Sequence, residues 1–343
     1  MGFLAQQRFD MKKVMKRIVR ASVIILIFIS TLLTGATLFL QWYALQAGGN
    51  ERGKNIEESY AFMYRNYPFL KAWTDSLNRV QALRDTFIRA EDGTPLHALY
   101  LYADTVVPHT AVVVHGYTDN AVRMLHIAYL YHHDLHYNVL LPDLRFSGKS
   151  GGNHLQMGWK DRVDVLRWMD IANRIFSPPA SCTRMVVHGI SMGGATTVCV
   201  SGEAQPPYVN CYVDDCGYTS VWDEYEGELR KQFGLPPFPL LYLADMATSL
   251  RYGWGFKEAS PLEQVRKCRK PMLFIHGDCD TFVPTWMGDS LYAAKQGVKV
   301  YWKVHGATHA DSYLKFPKEY TEKVKKFVET YNIPENMNNF LPK

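Results

Sequence analysis

A serine between glycines lies where an apolar run gives way to a helical pattern. The run Met185–His188 is followed by Gly189-Ile190-Ser191-Met192-Gly193, and the segment after it predicts an apolar helix. At a tight strand-to-helix turn, glycines flank the serine because a Cβ would clash there. The pattern predicts that the Ser191 hydroxyl is a nucleophile and that the Met192 N–H points at a developing oxyanion. A serine that only caps the helix is the alternative interpretation.

A serine hydroxyl needs a base to activate it, and the base needs an acid to orient it. Asp280 lies in FIHGDCDTFVP (274–284), and His309 lies in VHGATHADSY (304–313). Each of these loops follows a predicted strand, and open α/β sheets place their sites at the carboxyl ends of strands. We therefore predict a triad of Ser191, His309 and Asp280 that attacks a carbonyl carbon and needs no cofactor and no metal.

Other residues compete for the acid and base roles. Asp278 is the nearest competitor, although a first aspartate in such a loop more often braces the turn. Asp214 and Asp215 end the preceding strand and are a further possibility for the acid. His305 precedes the favoured histidine and is predicted to belong to the strand end.

The second oxyanion donor is expected in the loop after the first central strand. That loop reads His115-Gly116-Tyr117-Thr118-Asp119, and its glycine allows close backbone approach. The sequence predicts that the N–H of Tyr117 donates to the oxyanion and that its side chain lines the pocket. Loss of one such donor typically costs about 3 kcal/mol of transition-state stabilisation.

Short apolar runs alternate with helical patterns along most of the chain, as in a mainly parallel sheet covered by helices on both faces. Asp92-Gly93 predicts a hairpin that adds antiparallel strands at one edge. We predict an α/β domain over residues 82–331 with eight strands, and a tail over 332–343. The inner strands are expected at Thr110–Val114, Asn138–Leu141, Met185–His188, Val209–Val213, Met272–His276 and Lys299–Val304, and helices at Ala121–Tyr131, Asp161–Arg174, Met192–Gly202 and Pro317–Tyr331.

Residues 219–266 interrupt this alternation with helical segments, a proline-rich bend and no obvious strand. A connection of this length is unusual, so we predict an inserted lid. Its aromatic residues either form an apolar pocket or pack the lid on the core. They are Trp222, Tyr225, Phe233, Phe238, Tyr242, Tyr252, Trp254 and Phe256.

The first apolar run, residues 21–43, carries no charge and ends in Trp42 and Tyr43. About 20 such residues span a bilayer core, and aromatic residues favour its interface. We predict a transmembrane helix that follows a basic cytoplasmic segment (1–20) and precedes a linker with amphipathic helices (44–81). The catalytic domain is then extracytoplasmic. A cleaved signal peptide and a buried core helix are the alternatives.

Charge and cysteines limit the function further. The net charge is +5, but basic residues concentrate before the apolar run, so the balance indicates membrane topology and no nucleic-acid partner. No Cys/His spacing indicates zinc. A bond between Cys216 and Cys279 is conceivable, since each follows a predicted strand. His132 and His136 have helical spacing, but a solvated helix face is favoured over a metal site.

These motifs together resemble the α/β-hydrolase superfamily over about residues 82–331. The resemblance rests on HGYTDN (115–120), DLRFSGKSGG (143–152), GISMGG (189–194), HGDCDTFVP (276–284) and HGATH (305–309). The segments DCGYTSVWDE (215–224) and FKEASPLEQV (256–265) are similar to membrane-anchored, lid-bearing bacterial hydrolases of the serine aminopeptidase and prolyl-oligopeptidase-like branches. The resemblance implies hydrolysis of an ester, thioester or amide, and the absence of an HGGG motif argues against a typical lipase.

Three functions stay open on the sequence alone. The first is a carboxylic-ester hydrolase acting on small or acyl-bearing molecules near a membrane. The second is a serine peptidase for short peptides, which needs a lid carboxylate to bind a peptide terminus. The third is a non-catalytic binding protein tethered to a membrane. The candidate lid carboxylates are Asp223, Glu224, Glu226 and Glu228.

Overall fold

An eight-stranded sheet forms the centre of the computed structural model, which describes residues 2–179, 181–203 and 206–332. The strand order is β1-β2-β4-β3-β5-β6-β7-β8. The β1–β2 and β2–β4 pairs are antiparallel and all later pairs are parallel, as the sequence predicts. The strands are β1 Arg84–Arg89, β2 Pro95–Leu101, β3 His109–Val114, β4 Asn138–Pro142, β5 Arg184–Ile190, β6 Val209–Asp215, β7 Met272–Gly277 and β8 Lys299–Val304.

Helices cover both faces of this sheet. Successive side chains of a strand point to opposite faces. In β3, Val112 and Val114 belong to one apolar core, whereas Ala111 and Val113 belong to the other. The helices of the domain are α5 Leu125–Tyr129, α6 Asp161–Phe176, α7 Met192–Ser201, α11 Thr285–Ala294, α12 Ser312–Lys315 and α13 Pro317–Tyr331. The loops at the carboxyl ends of the parallel strands therefore meet at one edge between two packed layers.

The segment predicted as one helix over Ala121–Tyr131 is broken in the structure. A 3₁₀ turn (Ala121–Met124), the short α5 and a π-helical turn (Leu130–Asp134) follow one another. His132 is buried and bonds to the Tyr102 carbonyl oxygen, at 3.0 Å, so the prediction of a solvated face is wrong at that residue. His136 lies beyond the π turn with a φ of 58°, which removes the helical spacing that suggested a metal site.

Between β6 and β7, where the sequence predicts an inserted lid over 219–266, the chain forms helices and no strand. The helices are α8 Val221–Phe233, α9 Leu240–Tyr252 and α10 Pro261–Val265. Ser220 caps α8 by accepting a hydrogen bond from the Asp223 N–H, and Gly234 ends that helix with a positive φ. Helices α8 and α9 lie over the carboxyl edge of the sheet.

The N-terminal helix α1 runs from Gly2 to Gln46, and residues 11–32 expose their side chains on every side. Among the described residues, the segment Met11–Lys54 contains the one helix long and apolar enough to cross a membrane. The sequence predicts a linker with amphipathic helices over residues 44–81, and the structure has helices in this segment. Leu45 and Asn50 are buried, and three short helices follow, namely α2 Glu51–Lys54, α3 Ile56–Asn66 and α4 Phe69–Arg79. The tail predicted for 332–343 lies outside the described residues except Asn332.

Candidate active site

Ser191 occupies a strained turn between β5 and α7. Its φ is 58° and its ψ is −121°, a conformation that costs on the order of 1–3 kcal/mol for a residue with a Cβ. A Cβ on Gly189 would lie 1.9 Å from the Gly193 carbonyl oxygen, and a Cβ on Gly193 would lie 2.1 Å from the Val114 carbonyl oxygen. Glycine is therefore required at both positions. The turn lifts the serine side chain off the carboxyl end of β5.

His309 and Asp280 complete a hydrogen-bonded chain with Ser191. The distance between Ser191 Oγ and His309 Nε2 is 2.8 Å, and that between His309 Nδ1 and Asp280 Oδ2 is also 2.8 Å. Asp280 Oδ1 accepts from the N–H groups of Phe282 (2.9 Å) and Val283 (3.0 Å). These two backbone hydrogen bonds orient the Asp280 carboxylate independently of its contact with the imidazole. The three residues selected by motif come together from loops after β5, β7 and β8.

The competing residues have other partners. Asp278 accepts hydrogen bonds from His305 Nδ1 and the Gly306 N–H, both at 2.7 Å, so it braces the loop after β8. His305 is exposed and follows the last residue of β8, so its expected place in the strand is wrong. Asp214 accepts from the Gly217 N–H, and Asp215 accepts from the Tyr320 hydroxyl.

Burial raises the pKa of Asp214 to about 8 and the pKa of Asp215 to about 7. At neutral pH such acids carry less negative charge than an ordinary carboxylate and would stabilise an imidazolium poorly. Neither has a hydrogen bond to His309 among the described contacts. The geometry therefore places the favoured acid, and not these two, next to the imidazole.

The loop after β3 approaches the serine closely. A Cβ built on Gly116 would lie 3.5 Å from the Ser191 Cβ, so the backbone of Gly116-Tyr117 borders the turn. Met192 begins α7, and the first N–H groups of a helix have no partner within the helix. The two predicted oxyanion donors, the N–H groups of Tyr117 and Met192, belong to residues that border the same cavity as Ser191.

A cavity of about 690 Å³ lies above Ser191. The pocket is within the size range of small-molecule sites, and its walls are predominantly apolar. Of the lid aromatics, Tyr225, Phe233 and Phe256 line it, whereas Trp254 is buried in the core and Phe238 is exposed. The two interpretations of the lid aromatics thus each apply to part of the set.

Two lid carboxylates also line this cavity. The sequence alone does not show which of the four candidates do so. Glu224 and Glu228 lie one turn apart on α8 and both line the wall. Only 5% of Glu224 is exposed, and its Oε2 has no hydrogen-bond partner among the described residues. Burial, together with the neighbouring carboxyl of Glu228, raises the pKa of Glu224 well above its usual value of 4.5.

The cysteines form no disulfide bond, and one of them lies beside the triad. All six cysteines are thiols, so the conceivable bond between Cys216 and Cys279 is not formed. Ligand atoms of Cys216, Asp280 and His309 lie within 4.8 Å of one another, a spacing that could accommodate an ion. Burial raises the pKa of the Cys216 thiol well above 9, so a thiolate ligand is disfavoured there. These residues therefore fit a metal poorly.

The sheet, its topology and the site together define a hydrolase of the α/β-hydrolase class. Among solved structures, a Pyrococcus furiosus esterase, Pf2001, matches with a TM-score of 0.58 and 23% identity over 73% of this chain and 93% of that chain. An acylaminoacyl peptidase from Pyrococcus horikoshii matches with a TM-score of 0.53 and 19% identity over 72% of this chain and 41% of that one. At these identities the likeness shows the fold alone.

A family model described as the prolyl oligopeptidase family matches residues 120–331. The chain belongs to the prolyl oligopeptidase family. Similar proteins include the uncharacterized protein YqkD of Bacillus subtilis, 32% identical over 68% of this chain and 75% of that protein. The α/β-hydrolase domain-containing protein WAV2 of Arabidopsis thaliana is 24% identical over 78% of this chain and 83% of that protein.

Proposed function

We propose that this protein is a serine hydrolase that cleaves a carboxylic ester through an acyl-enzyme. The single observation that carries the proposal is the hydrogen-bonded chain from Ser191 through His309 to Asp280 at the base of an apolar cavity. The cavity supplies space for an acyl group next to the serine oxygen. The chain supplies the base and the orienting acid that a serine needs.

In the first half of the reaction, Ser191 Oγ bonds to the ester carbonyl carbon while His309 Nε2 takes the hydroxyl proton. The carbon–oxygen bond to the alcohol then breaks, and His309 gives its proton to the leaving alcohol. In the second half, water attacks the acyl carbon while His309 takes a proton from it. The bond between the acyl carbon and Ser191 Oγ then breaks, His309 returns the proton to Oγ, and the free acid leaves. Asp280 holds the Nδ1 proton and stabilises the imidazolium, while the N–H groups of Tyr117 and Met192 bind the oxyanion.

A fluorophosphonate probe and an ester panel test this proposal. The purified full chain in detergent should react with the probe and hydrolyse p-nitrophenyl esters, and Ser191→Ala should abolish both. Ser290→Ala is the matched control, because Ser290 is a partly exposed residue of α11 that bonds to the Trp286 carbonyl oxygen and does not line the cavity. A folded wild-type protein that neither reacts with the probe nor cleaves any ester would refute the catalytic role and favour a binding protein.

A second candidate function, a peptidase for short peptides, is favoured by the carboxyls of Glu224 and Glu228 in the cavity wall. A buried carboxyl with an unpartnered oxygen is a suitable acceptor for the ammonium group of a peptide amino terminus. Under this alternative, Glu224→Gln should raise KM for aminoacyl-nitroanilides with little effect on neutral esters. Glu226→Gln is the control, because Glu226 bonds to Arg230 and Trp222 instead. If the wild-type protein hydrolyses no nitroanilide, the peptidase function is contradicted and the esterase function stands.

We also propose that α1 anchors the protein as a single-pass helix with a cytoplasmic N-terminus and an extracytoplasmic catalytic domain. The proposal rests on the exposed apolar surface of the helix and on the basic residues before it. Positive charge flanking an apolar span favours the cytoplasmic side. Alkaline phosphatase fused to the C-terminus of the full chain should be active in cells, and an inactive but expressed fusion would reverse the orientation.

A further inference from the structure

One wall of the cavity over Ser191 is built by the helix that carries the apolar span. Leu40, Tyr43 and Ala44 of α1 line the cavity beside the lid helices. The Tyr117 hydroxyl donates to the Ala44 carbonyl oxygen at 2.8 Å, so α1 also contacts the loop assigned to the oxyanion. Removal of this helix would open the pocket on that side. The anchor is therefore part of the binding site as well as a tether.

Helix α1 docks on the lid within the apolar span itself. Residues 11–32 expose their side chains on every side, whereas one face of residues 33–45 is covered, in part by α9. Gln41 Nε2 donates to Thr248 Oγ1 at 3.1 Å in a buried contact. At about 1.5 Å per residue, the covered part of the span is roughly 15 Å long, about half of a 30 Å hydrocarbon core. The covered residues recur every three or four positions at Leu33, Ala36, Thr37, Leu40, Gln41, Ala44 and Leu45.

The free face of α9 is apolar where it lies beside the span. Tyr242, Met246 and Leu250 follow one another at helical spacing of four residues, and their side chains are 46%, 55% and 81% exposed. A row of this kind is unfavourable in water and matches the buried side of a helix that lies in a membrane interface. Its position beside α1 places it at the depth of lipid headgroups and the first acyl carbons.

The mouth of the cavity is at the same level. Trp42 and Tyr43 both line the cavity and both reach the surface, with 47% and 44% of their area exposed. Tryptophan and tyrosine are enriched at the membrane–water interface because their rings are apolar and their edges are polar. The cavity therefore reaches the surface at these two residues, at the end of the apolar span.

We propose that the substrate is a long-chain acyl ester that enters this cavity directly from the bilayer. Its acyl chain lies in the cavity along Leu40 of α1 and along Leu241 and Ala244 of α9, with the ester carbonyl at Ser191. This inference rests on the proposed esterase function and adds the class and the source of the substrate. The bonds made and broken are those of the ester hydrolysis already described.

The test uses the full chain reconstituted in phosphatidylcholine vesicles, with rates divided by the number of sites that a fluorophosphonate labels. The bilayer substrate is 4-methylumbelliferyl palmitate, and the water-soluble reference is 4-methylumbelliferyl acetate. At constant bulk concentration, the palmitate rate should fall as added phospholipid lowers the mole fraction of the ester in the membrane. A rate that follows bulk concentration alone would overturn the bilayer route.

Leu40→Trp and Leu38→Trp form a matched pair on opposite faces of the same helix. Leu40 is half-buried against the cavity, whereas Leu38 is exposed on the far side. An indole at position 40 occupies space that several chain methylenes would use, so the ratio of palmitate to acetate hydrolysis should fall at least about tenfold. Leu38→Trp should leave this ratio at its wild-type value.

The outcomes separate this inference from the function on which it rests. Wild-type protein that fails to label and to hydrolyse acetate contradicts the hydrolase proposal. The inference alone is contradicted if the wild-type protein reacts with the probe and hydrolyses the acetate ester, but Leu40→Trp cleaves the palmitate ester in vesicles as fast as wild type does. Introducing a charge at the exposed row provides an independent readout. Met246→Glu should lower the palmitate-to-acetate ratio, and an unchanged ratio would remove α9 from the substrate path.

Discussion

Gly193→Ala tests how closely the nucleophile turn and the oxyanion loop are coupled. The added Cβ would lie 2.1 Å from the Val114 carbonyl oxygen and 2.6 Å from that of His115, whereas real Cβ atoms essentially never come within 3.0 Å of a neighbour. Both oxygens are backbone atoms at the end of β3, so the strand and the turn must separate by almost 1 Å. A misplacement of that size costs on the order of 100-fold in rate. The strain should also lower the free energy of unfolding by about 1–3 kcal/mol.

The rate constant for fluorophosphonate labelling, kcat/KM for p-nitrophenyl acetate and the midpoint of thermal unfolding measure these effects. Rates are divided by the folded fraction, so that a loss of fold is not counted as a loss of chemistry. Gly227→Ala is the control, because a Cβ there has no atom within 4 Å and the residue lies exposed in α8. That change should stabilise the helix by about 0.5–1 kcal/mol. Wild-type labelling and an unchanged midpoint in Gly193→Ala would refute the coupling.

Three further changes give separate tests. Asp280→Asn should lower kcat by about 10⁴-fold, the cost of the equivalent change in a characterised triad, whereas Asp278→Asn should change it little; equal ester-hydrolysis rates in the two variants would contradict the assignment. Because burial raises the pKa of Glu224, folding takes up a proton there, so stability should fall as pH rises above about 4.5 by up to about 1 kcal/mol per pH unit. Glu224→Gln should flatten that slope in thermal unfolding between pH 5 and 7, and an unaltered slope would refute the burial argument. Tyr117→Phe removes the bond to the Ala44 carbonyl oxygen and should cost about 1 kcal/mol of stability in detergent, with wild-type stability the opposing result.

The sequence predicts the site residues because parallel strands end at a common edge. Ser191, Asp280 and His309 each follow an apolar run, so a count of strands is enough to bring their loops together. The same argument reaches Tyr117, which follows β3. The sequence pattern alone does not fully decide whether Asp278 or Asp280 is the triad acid, because this depends on which carboxyl faces the imidazole. That orientation is set by the N–H groups of Phe282 and Val283.

Other features depend on packing between distant segments, which periodicity does not report. Glu224 and Glu228 line the cavity because the face of α8 that carries them packs toward Ser191. Their spacing on a helix would look the same on a solvated face. In the sequence, the docking of α1 is indicated only weakly, by Thr37 and Gln41, two polar residues on one face of the apolar run. Lipid offers such groups no hydrogen bond. Gln41 Nε2 donates to Thr248 Oγ1 at 3.1 Å, whereas Thr37 Oγ1 has no hydrogen-bond partner among the described residues.

The segment after the span ties the helix to the body of the enzyme. The Leu155 N–H donates to the Leu45 carbonyl oxygen at 2.7 Å, and the Asn50 side-chain amide donates to the Phe146 carbonyl oxygen at 2.7 Å. These two bonds fix the position of α1 relative to the hydrolase domain, so a membrane-spanning α1, as proposed above, would also set the height of the domain over the lipid surface. A protease that cut the chain at this junction would not shed a working soluble enzyme. The remaining domain would have an unpaired Leu155 N–H and an open cavity wall beside Ser191.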